Sequence, residues 1–138
     1  MSRQAVIVDT NVVVAGLLTA NAAFPVARIL DGMLAAAFPF VLSEALLAEY
    51  RAVLVRPVLR KLHGLRVTEV QTLLTDIAQH AIVLPPGVGP PAPDPGDQLP
   101  WDLLAARADL LLVTGDKALQ RDTAMRTRVL SPQAFFEA

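Results

Sequence analysis

Short apolar runs separated by helical segments are the feature that most limits the folds open to this 138-residue chain. The runs have the length and composition of buried strands and cover residues 5–8, 38–42, 81–84, 110–114 and, more briefly, 128–130. Apolar residues recur at helical spacing in 24–36, 44–54, 68–80 and 99–108. Strands that alternate with helices favour a parallel sheet covered on both faces. We therefore predict an α/β fold and one domain spanning residues 1–138.

Local signals predict where two of the helices begin and where a long loop lies. Thr68 and Gln71 have the spacing of a weak capping box. Ser131 is placed as an N-cap with Pro132 at the first helical position, which predicts a C-terminal helix. Seven of the eleven prolines lie in 84–100, and this stretch is predicted to be a stiff loop between a strand and a helix.

Composition excludes several classes of site. The chain is 54% hydrophobic and contains no cysteine, so we predict no disulfide scaffold and no thiolate metal site. The two histidines, His63 and His80, are expected to be surface or linker residues. Any metal should therefore have oxygen ligands, as Mg²⁺, Mn²⁺ and Ca²⁺ do. Asp9 interrupts the first apolar run, so we expect no signal peptide. No apolar run reaches the ~20 residues of a membrane span. We therefore expect a soluble cytoplasmic protein without membrane contact.

Polar residues follow the predicted strands closely. Asp9 ends the first strand, Ser43 follows the second, Asp94 and Asp97 lie beyond the third, and Asp116 follows the fourth. Ligands of an open parallel sheet bind outside the carboxyl ends of its strands. We therefore expect these side chains to meet at one edge of the sheet.

Glu49 is a further candidate for this cluster. On the predicted 44–54 helix it lies one turn from Leu46 and Val53, beside the apolar stripe, where a carboxylate is partly buried. Clustered carboxylates repel one another unless a divalent cation lies between them. Such a site suits Mg²⁺ or Mn²⁺ and metal-assisted attack of water on a phosphodiester.

Each carboxylate also has a simpler role open to it. Asp9 and Asp116 are placed to cap turns, Asp97 to cap the next helix, and Glu49 to be solvated. Asp94, which precedes a proline, is better explained as a turn residue. Asp102 and Asp109 are expected to be charges at the rim or in solvent.

A local excess of positive charge follows the helix that carries Glu49. This basic segment holds five of the twelve basic residues and no acid: Arg51, Arg56, Arg60, Lys61 and Arg66. Such groups bind phosphate backbones, although a solvated helical hairpin would have the same composition. With one Trp and one Tyr, base stacking is not expected to provide the main contact. Single-stranded or loop RNA suits a shallow acidic edge best.

Four stretches, in this order, resemble the PIN domain family: "IVDTNVVVAGLL", "LSEALLAEYRAVLVRP", "DPGDQLPWDLLAARADLLLVTGDKAL" and "VLSPQAFFE". More narrowly, they resemble VapC-like ribonucleases, the toxins of bacterial toxin–antitoxin pairs. The resemblance implies a three-layer α/β/α sandwich with a central parallel sheet, Rossmann-like in outline. It also implies an endoribonuclease that depends on Mg²⁺ or Mn²⁺.

The resemblance also implies roles for particular residues. The acidic catalytic and metal-binding positions of the family fall on Asp9, Glu49, Asp97 and Asp116, and its polar supporting positions fall on Asn11 and Thr114. Ser43 is a further supporting candidate from its place after a strand. Where relatives often read "DPDDN", this chain has Gly96 and Gln98. RNA is the implied substrate, and we expect a protein antitoxin and a homodimer.

Two other functions stay open from the sequence. The protein could be a phosphatase with Asp9 as nucleophile, although that chemistry usually needs a second acid where Asn11 stands. It could also be a catalytically silent module that binds RNA or protein. The presence of all four matched acids argues against the silent module.

Overall fold

Parallel strands form the centre of the structure, a computed structural model that describes residues 4–122 and 125–137. The strands are β1 (Val6–Val8), β2 (Val41–Leu42), β3 (Ile82–Val83), β4 (Leu111–Val113) and β5 (Val129–Leu130). β4 pairs with β1 on one side and with β5 on the other, and β2 pairs with β3. A parallel bridge between Val6 and Phe40 joins the two groups, so the strand order is β3-β2-β1-β4-β5.

Helices connect the strands. They are α1 (Thr10–Leu18), α2 (Pro25–Leu34), α3 (Glu44–Leu54), α4 (Pro57–His63), α5 (Val67–His80), α6 (Gln98–Leu104), α7 (Lys117–Gln120) and α8 (Pro132–Glu137). Short 3₁₀ turns cover Pro95–Asp97 and Arg126–Arg128. Within the two described segments, no helix has the length and apolar character that crossing a membrane requires.

The direction of strand succession reverses at β1. The chain runs from β1 outward through β2 to β3, then returns to β4 on the other side of β1 and continues to β5. Because crossovers between parallel strands are right-handed, such a reversal moves the following helices to the opposite face. The result is a three-layer α/β/α sandwich, as predicted. Such a reversal also opens a crevice at the carboxyl ends of β1 and β4.

Most of the predicted elements are confirmed. All five strands occur within the predicted runs, and α3 spans residues 44–54 as its periodicity indicates. Leu46, Tyr50 and Leu54 are at most 1% exposed and form the buried stripe of α3. The Ser131 hydroxyl accepts a hydrogen bond from Ala134 N, which confirms the cap of α8.

Two local predictions are wrong. Thr68 does not cap α5, because the helix begins one residue earlier and Glu69 Oε1 accepts from Arg66 N instead. The predicted 99–108 helix ends at Leu104. There the Arg128 guanidinium donates to the carbonyl oxygens of Leu104 and Arg107, so a side chain from 24 residues later satisfies the helix terminus.

Candidate active site

Asp9 lies at the centre of the site, between a strand and a helix. It directly follows β1, is 5% exposed, and is the N-cap residue of α1. Asp9 Oδ1 accepts from Thr10 N at 2.8 Å. Asp9 Oδ2 accepts from the Thr114 hydroxyl at 2.7 Å and from Asn11 Nδ2 at 3.3 Å. Asp9 therefore caps a helix and also belongs to a polar network, while its predicted role as a metal ligand stays a prediction.

Thr114 joins the ends of β1 and β4. The register places Val8 opposite Val113, so the residues that follow these strands meet side by side. Besides donating to Asp9, the Thr114 hydroxyl accepts from Asn11 Nδ2 at 3.2 Å and from Asp116 N at 3.0 Å. A hydroxyl has one hydrogen to donate, and the two incoming N–H groups direct that hydrogen to Asp9.

Asn11 and Asp116 complete this part of the site. Asn11 Oδ1 accepts from Gly115 N at 3.0 Å, so its amide contacts both strand ends. Asp116 is the N-cap of α7, and its Oδ1 accepts from Ala118 N at 2.8 Å. The capping role considered for Asp116 is thus real, and it orients the carboxylate toward the same crevice as Asp9.

Burial and hydrogen bonding act in opposite directions on the pKa of Asp9. Burial raises the pKa of Asp9 above its ordinary value, while the hydrogen bonds from Thr114 and Thr10 lower it. The charge of Asp116 raises it again. Asp9 and Asp116 are therefore close enough for their carboxylates to repel each other.

Glu49 reaches the same crevice from α3. The next residue, Tyr50, is fully buried and its hydroxyl donates to the carbonyl oxygen of Val8, which ties α3 to the last residue of β1. Burial raises the pKa of Glu49, and the charge of Asp9 raises it further. Sequence reasoning missed this tie, although a tyrosine in the apolar stripe of a helix usually needs a polar partner.

Glu49 also carries an unsatisfied buried oxygen. Glu49 Oε2 has no hydrogen-bond partner in the described part of the chain, and neither does the buried hydroxyl of Thr10. The Thr10 hydroxyl lies close enough to Glu49 to lower its pKa, although the pair does not have the geometry of a formed hydrogen bond. The charge of Arg56 lowers this pKa as well, but burial has the larger effect. A buried carboxylate oxygen without a partner is costly, and a cation is the ligand that would satisfy it.

Asp97 enters the site from the loop before α6. It is the N-cap residue of α6, yet its side chain makes no capping hydrogen bond, so the carboxylate remains available for another role. Burial, followed by the charges of Asp9, Asp116 and Asp94, raises the pKa of Asp97 to about 6. The charge of Asp9 thus acts on both Glu49 and Asp97, and the charge of Asp116 acts on Asp9 and Asp97. The catalytic and metal-binding roles that the resemblance implied for these four acids stay predictions.

Asp94 has the turn role that was favoured for it. Its Oδ1 accepts from Gly96 N at 2.8 Å and closes the turn that leads to Asp97. Gln98, which replaces the amide residue of relatives, points its side chain into the proline-rich loop. It accepts from Ala92 N at 2.9 Å and donates to Asp102 at 2.8 Å. Asp102, which was expected to be a charge at the rim or in solvent, is half-buried and anchors this loop through its hydrogen bonds.

The other predicted residues lie outside this cluster. Ser43 caps α3 by accepting from Leu46 N at 3.1 Å, and it lines a separate cleft beside β3. His63 is a structural residue, hydrogen-bonded to the backbone of Leu54 and Leu65. Asp109 forms an exposed ion pair with its neighbour Arg107.

The basic segment is exposed but only partly free. Arg51 donates to Gln71 at 3.2 Å, and Arg66 lies 3.9 Å from Glu69. Arg60 and Lys61 lie on α4 and line a shallow surface cleft with Arg66. Arg56 is the member whose charge acts on a carboxylate of the site, Glu49.

The candidate metal ligands are of the chemical type that a hard divalent cation prefers, but their spacing is not that of a formed metal site. All candidate ligands are oxygens, and one of them is a buried oxygen without a partner. Within residues 4–122 and 125–137, however, no group of three or more carboxylate or histidine side chains is arranged as a formed metal site. Burial and, to a lesser extent, the charge of neighbouring carboxylates raise the pKa values of Asp9, Glu49 and Asp97, so a cation bound among these acids would stabilise their charged forms.

An open parallel sheet with coupled acids at its point of reversal defines an α/β protein with an acidic active-site crevice. A family model described as the PIN domain matches residues 5–118, a range that contains all four acids. The chain therefore belongs to the PIN domain family. PIN domains are generally nucleases, and they generally use divalent metal ions. No curated protein matches the sequence.

Proposed function

We propose that the protein is an endoribonuclease that depends on Mg²⁺ or Mn²⁺ and that acts as the toxin of a toxin–antitoxin pair. The observation that carries the proposal is the coupling of Asp97 to Asp9 and Asp116, together with the unsatisfied oxygen of Glu49. Within a family of nucleases, four coupled acids are the arrangement expected of a working site and not of a silent one.

Asp9, Glu49, Asp97 and Asp116 are the residues that would hold the cation. When bound, the cation supplies the charge that polarises a phosphodiester and lowers the pKa of the attacking water. Thr114 and Asn11 keep the Asp9 carboxylate in one orientation through their hydrogen bonds, as outer partners of metal ligands do.

RNA is the substrate that best suits the surroundings of the site. The crevice is open and shallow, so a single strand has access to the acids. Arg56, whose charge acts on Glu49, and the cleft lined by Arg60 and Lys61 offer positive charge that can bind phosphates. An intracellular RNA substrate would place the protein in the cytoplasm.

The phosphatase alternative has less support. Asp9 accepts hydrogen bonds on both oxygens and is 95% shielded from solvent, which disfavours in-line attack on a phosphoryl group. In addition, Asn11 donates to Asp9 where that chemistry would place a second acid.

Cleavage of a single-stranded RNA by the purified protein tests the proposal. We expect cleavage with Mn²⁺ or Mg²⁺, no cleavage in excess chelator, and none by Asp9→Asn purified in parallel. Asn caps a helix about as well as Asp, so this control keeps the start of α1 while removing a charge. No cleavage by the folded wild type with Mn²⁺ or Mg²⁺, or full activity of Asp9→Asn in preparations free of contaminating nuclease, would contradict the proposal.

The regulatory part of the proposal has its own tests. An uncontrolled nuclease endangers its host, and Val58 and Leu62 leave apolar surface exposed on α4, at 72% and 65%. We expect a homodimer in light scattering at micromolar concentration and a protein antitoxin encoded by a neighbouring gene. A strict monomer would contradict the proposed homodimer. Toxicity that co-expression of the neighbouring gene never relieves would contradict the proposed antitoxin.

A further inference from the structure

Two shallow clefts meet beside the carboxylates and form one continuous groove. A cleft of about 440 Å³ contains Asn11 and Asp116, and a cleft of about 340 Å³ extends away from them. Val26 and Gly115 line both clefts, so the floor is shared. We call this surface the Gly115 groove. Its two parts fall within the size range of small-ligand sites.

An exposed aromatic ring stands at the far part of the Gly115 groove. Phe24 is 52% exposed, although its backbone is held by hydrogen bonds to Asn21 and Arg28. It precedes Pro25 at the start of α2, and its side chain takes no part in capping that helix. A large exposed ring on a hydrogen-bonded backbone offers a face on which a nucleobase can stack.

A cation lies beside this ring in the same part of the groove. Lys117 directly follows Asp116, is exposed, and forms no ion pair with any residue of the described segments. Gln120 lines the same cleft, and its amide nitrogen donates to Thr114 O at 2.7 Å, which fixes the side chain against the end of β4. Positive charge next to an aromatic face matches the alternation of phosphate and base along a nucleic acid strand.

We propose that the Gly115 groove binds one nucleotide of a single-stranded RNA next to the phosphate that is cleaved. The base stacks on Phe24 and the backbone phosphate pairs with Lys117. This inference rests on the proposed ribonuclease function and adds a subsite to it. It is compatible with the expectation from composition that base stacking does not provide the main contact, because a single exposed ring holds only one base.

Fluorescence anisotropy with a labelled single-stranded RNA, in excess chelator to prevent cleavage, tests the subsite. We expect Phe24→Ala to weaken binding about tenfold and Phe24→Trp to restore it, since stacking needs a flat ring. Phe24→Leu separates stacking from simple apolar contact and should bind as weakly as Phe24→Ala. Thermal melting confirms that each variant is folded.

Lys117→Gln should make the slope of log affinity against log salt concentration shallower by about 0.7, the value for one phosphate contact on a single strand. Arg121→Gln is the matched control, because it removes the same charge four residues away without lining the groove. If the salt dependence of binding falls equally in both variants, the effect comes from the net charge of the protein, and the assignment of Lys117 is wrong.

Cleavage of the same RNA by the wild type with Mn²⁺ separates this inference from the proposed function. If the wild type cleaves and binds RNA while the Phe24 and Lys117 variants bind equally well, the groove assignment is wrong and the ribonuclease stands. If the wild type does not bind RNA at all, the groove assignment is wrong as well, and the cleavage result alone decides the proposed function.

Discussion

The hydroxyl of Thr114 donates a 2.7 Å hydrogen bond to Asp9 Oδ2, across 105 residues of chain. The bond joins the ends of the two neighbouring strands β1 and β4, and both groups are buried. Because the same hydroxyl accepts from Asn11 and from the backbone of Asp116, it connects three site residues to one atom.

Replacing Thr114 by valine should therefore harm both stability and activity. The substitution keeps the shape but leaves the buried Asp9 oxygen with one donor fewer, which costs about 1–3 kcal/mol of unfolding free energy. RNA cleavage should fall about 10–100-fold, as for outer partners of metal ligands. Urea unfolding and initial cleavage rates measure the two effects. Thr114→Ser keeps the hydroxyl and should behave nearly as the wild type; equal loss in both variants would count against the hydrogen bond as the cause.

Replacing Glu49 by glutamine should separate metal binding from folding. Glu49 is partly buried, has a raised pKa, and repels Asp9, so removing its charge should leave stability without metal unchanged or slightly increased. Binding of Mn²⁺, measured by calorimetry, should weaken. A marked loss of stability without metal would instead make Glu49 a structural partner of Arg56.

The pH dependence of the free energy of unfolding should include a contribution from Asp97. A pKa raised from 3.8 to about 6 means that the folded state holds a proton that the unfolded state releases at lower pH. Stability without metal should therefore fall as the pH rises from about 4 to about 6, and this contribution should be constant above that range. Unfolding at a series of pH values measures it. Asp97→Asn should lack this contribution, and an unchanged profile in that variant would assign the slope to another group.

The two aspartates of the loop should differ in function. Asp94 closes a turn through a hydrogen bond that asparagine can also accept, while the Asp97 side chain makes no capping bond. Asp97→Asn should lose most RNA cleavage and Asp94→Asn should keep most of it, provided that thermal melting shows both to be folded. The opposite pattern would exchange their roles.

Sequence periodicity was sufficient to predict the strands and four of the eight helices in the described segments, because burial of one stripe or of a whole strand leaves a local pattern. The α8 helix was predicted from its N-cap, and α1, α4 and α7 were not predicted. It also placed Asp9, Asp97 and Asp116 near one edge, since the ends of parallel strands coincide. The tie between Tyr50 and Val8 and the contact of Arg128 with Leu104 could not be predicted, because each joins residues far apart in the chain. The exposure of the Phe24 ring could not be predicted either, since periodicity alone places this residue in a helix.

Titration of Mn²⁺ into the protein, with binding heat and RNA cleavage recorded on the same samples, tests the central claim most directly. If Asp9, Glu49, Asp97 and Asp116 hold the catalytic cation, cleavage should rise in step with Mn²⁺ binding, and Asp9→Asn should lose both while melting as a folded protein. Cleavage that persists in excess chelator, or Mn²⁺ binding that Asp9→Asn retains in full, would contradict the account.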